Sequence, residues 1–109
     1  SYNIGTSITQ ADFEADRFTA AQIFIFTGRR EQREKSTAGI VESGMYACVY
    51  LDNYDDEISY ARRLRAFCQE NGYTIAGDYI CEVMTGFHVF DSDPRSLFLR
   101  LQVPVSFQK

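Results

Sequence analysis

Glu82 is the residue of this chain whose surroundings most invite chemistry. It sits in Tyr79-Ile80-Cys81-Glu82-Val83-Met84, where the two-residue strand period puts Ile80, Glu82 and Met84 on one face and Tyr79, Cys81 and Val83 on the other. Both faces are otherwise largely apolar, as in a strand covered on each side. A carboxylate in such a place is costly unless it is paired, protonated or wet. Unpaired, it gains from a desolvated cation; with a raised pKa it could act as a general base. Paired, for instance with Arg100 on a neighbouring strand, it is a structural residue instead.

Other chemistry finds little support. Asp52, Asp55, Asp56 and Glu57 resemble an acidic metal loop, but their spacing fails the calcium-loop pattern and helix capping explains them. His88 is the only histidine and has no identifiable partner. There is no phosphate-cradling glycine loop, no cysteine–histidine metal pattern and no Ser, His and Asp grouping, so neither a metal nor a cofactor is expected. Seven Tyr and nine Phe are enough to line a cavity, and equally serve the cross-strand packing of a β-rich domain.

Composition narrows the class further. At 109 residues the chain makes one domain with a modest core. A net charge of -4 argues against a grip on a phosphate backbone, which needs clustered Lys and Arg. Cys48, Cys68 and Cys81 are odd in number and each lies among apolar residues of a periodic element, as reduced core cysteines do in a cytoplasmic protein. No apolar run approaches the ~18 residues of a membrane span. Opening on Ser1 with strand-like sequence at once, the chain reads as a fragment of a longer protein.

The elements that must position Glu82 begin with one helix. Asn53 can cap it, Asp56 completes a capping-box pattern, and Asp55, Asp56 and Glu57 put negative charge where the helix dipole is positive. Tyr60, Ala61, Leu64, Phe67 and Cys68 fall on one face with Ile58 at its margin, and Gly72 supplies a left-handed stop, which predicts a helix over 53–71. Strands are expected from Tyr2 to Thr9 and in Gln22-Ile23-Phe24-Ile25-Phe26, forming a hairpin whose Gln10–Arg17 stretch reads better as a connecting loop than as a short helix. Arg29 to Lys35 interleaves charges of both signs and reads as a solvated linker.

Thr37 to Glu42 reads as a short strand and Met45 to Leu51 as a strong one, with Tyr46, Cys48 and Tyr50 sharing a face; the tyrosines could line a cleft and are expected rather to pack under the helix. The Glu82 strand should begin near Tyr73 and bend at Gly77, with Phe87 to Phe90 continuing the ladder beyond Gly86. Asp91-Ser92-Asp93-Pro94 is turn chemistry. The last strand runs from Leu97 to Val105, with Pro104 placing its end at an edge or end of the sheet. The whole is an α+β fold, an antiparallel sheet with one long helix on one side.

Gly44-Met45-Tyr46-Ala47-Cys48-Val49-Tyr50, the helix, and Asp78-Tyr79-Ile80-Cys81-Glu82 together resemble the GyrI-like (gyrase-inhibitor-like) effector-binding domain of MerR- and AraC-type transcription regulators, over nearly the whole chain. The resemblance implies a curved sheet made of paired strand-helix-strand-strand units, with two helices flanking a cleft. Here 37–109 would be a complete second unit and 1–28 the terminal hairpin of the first, within a single domain. It also implies that Glu82 pairs with a ligand's positive charge. Tyr2 would occupy an aromatic position on the first hairpin. Phe98 stands where multidrug sensors have a tyrosine, and at Ile58 some members have one, for which Tyr60 is a substitute.

The expected function is therefore small-molecule sensing. The ligand would be lipophilic, aromatic or cationic, and DNA would be bound only by a separate domain of a dimeric parent. Aromatic faces would add cation–π attraction on the order of 0.5–2 kcal/mol each. Two readings compete: a stand-alone protein-binding inhibitor of the gyrase-inhibitor type, and a small hydrolase using Glu82 as base.

Overall fold

Leu99, Leu101, Val103 and Val105 alternate along one strand and are all buried, and the fold is assembled around that strand. The computed structural model describes residues 2–19, 21–27, 44–84 and 98–107. In chain order these form β1 (Tyr2–Ile8), α1 (Gln10–Glu14), β2 (Gln22–Thr27), β3 (Tyr46–Leu51), α2 (Glu57–Glu70), β4 (Tyr73–Ile75), β5 (Tyr79–Val83) and β6 (Leu99–Phe107). The fold is α+β, as the sequence predicts: one antiparallel sheet in the order β2-β1-β5-β6-β3, with β4 paired to the far end of β6.

The long helix starts in two steps. The Asn53 side chain accepts from the Asp55 amide at 2.9 Å and caps a single 3-10 turn, Tyr54–Asp56, from which α2 continues. Ala61, Leu64 and Cys68 are its buried stripe, and Gly72 leaves it at φ 73, a left-handed conformation that a β-carbon disfavours. Phe67, expected on the buried face, is about half exposed and stacks on Tyr73. The helix touches β3, β4 and β6. Over β1 and β2 the same face of the sheet leaves Ile4, Ile23 and Ile25 exposed, Ile23 to 78%.

Three expectations need correction. Residues 10–17 are not all loop: Thr9 accepts from the Asp12 amide and caps α1, whose Phe13 is fully buried with its ring stacked on Tyr79 at 4.9 Å. One aromatic side chain anchors a turn that propensity alone leaves undecided. The segment is also clamped to α2. Asp16, at φ 63, accepts a fork of two hydrogen bonds from Arg62 and a third from Arg65, and Arg65 also donates to the Phe13 carbonyl. Those guanidinium groups hold the Asp16 carboxyl below the usual carboxylate range.

The second correction is Cys48, which is exposed on β3, while Cys68 and Cys81 are buried as expected. The third is Pro104, which lies inside a central strand. Val105 donates its amide to Met45 on the β3 side, so the Pro104 nitrogen points the other way, where β6 changes neighbour from β5 to β4. No ladder bond is lost there. Ala76 donates to the Pro104 carbonyl, and position 77 is sterically suited to glycine alone, since a Cβ there would lie 2.5 Å from the Pro104 ring.

The expected linker 29–35, strands 37–42 and 87–90, turn 91–94 and His88 lie outside the described residues. Among the described residues no helix is long and apolar enough to cross a membrane.

Candidate functional site

The two faces of the sheet have different tasks. Tyr79 and Cys81 of β5, with Leu99, Leu101 and Val103 of β6, face α2 and belong to the core. Alternation then puts Ile80, Glu82, Arg100 and Gln102 on the opposite face. Directly across the ladder, Glu82 pairs with Arg100 and Arg100 with Tyr50, so the three form a row over β5, β6 and β3.

The geometry of the row is specific. Arg100 Nη2 donates to Glu82 Oε1 at 2.9 Å. The Glu82 side chain is 5% exposed and that of Arg100 29%, so the guanidinium is the more accessible member of the pair. The Tyr50 ring stacks on Phe98 with centroids 5.7 Å apart. Burial opposes the charge on Arg100, but the Tyr50 hydroxyl and the Glu82 carboxylate outweigh it and hold the pKa above its usual value. The Arg100 Nε–H is buried and has no acceptor among the described residues.

The structure thus brings together only part of the expected set. Glu82 and Phe98 share the face with Arg100 and Tyr50, and Glu82 has the arginine partner that the structural reading named. Tyr60 and Ile58 belong to α2 and so to the other side of the sheet; Tyr60 is partly buried beneath the Arg63 guanidinium and Ile58 is exposed. Tyr2 opens β1 opposite Thr27, and its side chain lies outside the description. Tyr46 and Tyr50 do not pack under the helix, because β3 turns Ala47 and Leu51 toward it instead.

Sequence reasoning missed a polar cluster on the helix side. Tyr79 Oη donates to Glu57 Oε2 at 2.8 Å, and Cys81 lies beside the same carboxylate. Burial first, and then the Glu57 charge, pushes the Tyr79 hydroxyl pKa up and the Cys81 thiol up to about 12. The only signal was Glu57 in the first helical turn, which dipole compensation already explained. A shallow depression of about 350 Å³ lined by Glu14, Gln69, Tyr73 and Ile75 contains none of the candidate residues. Among the described residues no cluster of His, Cys, Asp and Glu could hold a metal ion. Comparison with known protein families, curated proteins and solved structures finds no match to this chain.

Proposed function

We propose that this domain is the effector-sensing part of a bacterial, cytoplasmic transcription regulator, binding a lipophilic aromatic or cationic small molecule on the Glu82 face of the sheet. One observation carries the reading: an ion pair between the buried Glu82 and the partly exposed Arg100, adjoining the Tyr50–Phe98 stack on the face that α2 leaves uncovered. A largely buried charged pair costs desolvation that hydrophobic residues would avoid, and binding specificity is a return for that cost. The resemblance of 44–50 and 78–82 to GyrI-like domains supports the same reading. Ligand binding would bias a parent dimer between two states according to its differential affinity for them, with DNA held by another domain.

Calorimetric titration with an aromatic cation and its neutral analogue, on the wild type and on Glu82→Gln, tests this. Binding to the wild type that Glu82→Gln alters selectively for one charge form supports sensing on this face. Absence of binding by both compounds and by an aromatic anion on the same frame rejects it, and leaves the protein-binding module as the reading to pursue.

A further inference from the structure

The order in which a ligand meets the charged groups of this face is set by their accessibility. Glu82 and Arg100 are side by side across the ladder, and the Arg100 side chain is 29% exposed against 5% for Glu82. An incoming cation would meet a guanidinium first. It would reach the carboxylate only after breaking a 2.9 Å ion pair and displacing a like charge. An incoming anion meets the opposite situation.

We infer that the ligand of this face is an aromatic carboxylate, taken by the Arg100 guanidinium while its ring extends the Tyr50–Phe98 stack. The inference rests on the sensing function proposed above and names its ligand class. Three observations converge on it. Arg100 keeps one unmet donor among the described residues, its buried Nε–H. The row directly across the strands puts an aromatic face, Tyr50, next to the guanidinium, and Phe98 two residues before Arg100 stacks on that ring. Glu82 already supplies a counter-charge from the neighbouring strand, so the guanidinium is held in one orientation before any ligand arrives. Glu82 is in this sense a positioning residue, and Arg100 the group that touches the ligand. Planar guanidinium and carboxylate groups match geometrically, and charge-assisted hydrogen bonds are the stronger kind.

The test uses three probes on one aromatic frame: 2-naphthoate, 2-naphthamide and 2-naphthylmethylamine, titrated into the wild type, Arg100→Gln and Arg100→Lys. The expected result is that naphthoate binds about tenfold tighter than the amide or the amine. Arg100→Gln should erase the preference and Arg100→Lys keep part of it. Circular dichroism of each variant shows whether it folds, and the ranking in the wild type stands without the variants. Tightest binding by the amine, or equal binding by all three, overturns the inference and leaves the sensing function intact. If none of the three binds, both fall.

Discussion

At the scale of single residues, accessibility separates groups of identical chemistry. Cys48 is exposed, whereas Cys68 and Cys81 are buried, and burial raises both of their pKa values, that of Cys81 to about 12. At pH 8 a thiol reagent should therefore modify one of the three cysteines in the native protein and all three in denaturant; mass spectrometry counts the adducts. The pH sign follows from the same shift. A thiol whose folded-state pKa is raised stabilises the fold below its unfolded value, near 9, and that contribution fades as the pH climbs toward 12. Rapid native labelling at Cys81 would contradict the packing described. Strand alternation made the partition of Tyr79 from Glu82 legible in the sequence, and adjacency of strands made Arg100 a nameable partner. Which face the helix covers was left open for β3, because both faces carry bulk that can pack under a helix, aliphatic in Ala47, Val49 and Leu51 and aromatic in Tyr46 and Tyr50. That ambiguity put the tyrosines on the wrong side. The resemblance grouped Tyr60 and Ile58 with Glu82, from which the sheet divides them.

At the scale of elements, the short helix α1 matters more than its length suggests. Phe13 is buried against Tyr79 and in edge contact with Phe18, and Asp16 at its far end is gripped by two arginines of α2. Phe13→Ala should lower the unfolding free energy by about 3–5 kcal/mol in urea denaturation, the range for emptying a buried aromatic site. A loss under 1 kcal/mol would mean that α1 is peripheral. This segment was hard to read because helix propensity over one turn is weak and the decisive contacts lie far along the chain, from Asp16 to Arg62 and Arg65. The long helix was legible for the opposite reason: its cap, stripe and stop are all local. Its start at Asn53 and end before Gly72 were read from those signals, and only the 3-10 entry was not resolved by them. The bend at Gly77 that divides the expected 73–84 strand into β4 and β5 was legible from the glycine itself, whereas its close approach to the distant Pro104 was not.

At the scale of the whole molecule, coverage is uneven. On the helix side α2 spans one half of the sheet, while Ile4, Ile23 and Ile25 stay exposed on the other, next to β2, whose outer edge carries no strand among the described residues. Apolar edges of this kind promote association. Ile23→Lys should raise the concentration at which the protein stays monodisperse in sedimentation, with little change in melting temperature, because Ile23 is already largely in water. The fold class was legible because strand patterns and one amphipathic helix allow few arrangements; the sheet order was not, because pairing partners leave no local trace. One feature of that order governs how the chain is made. β6 joins β5, β3 and β4, yet it comes after all of them in sequence. A growing chain on the ribosome therefore displays β3 and β5 with their shared neighbour still untranslated, and Leu51, Leu64 and Tyr79 lack Leu101 to bury against. Until β6 emerges, the half-built sheet has open edges in its centre as well as at its rim. Its vulnerability to misassembly and its need for chaperone protection are concentrated in that interval of synthesis.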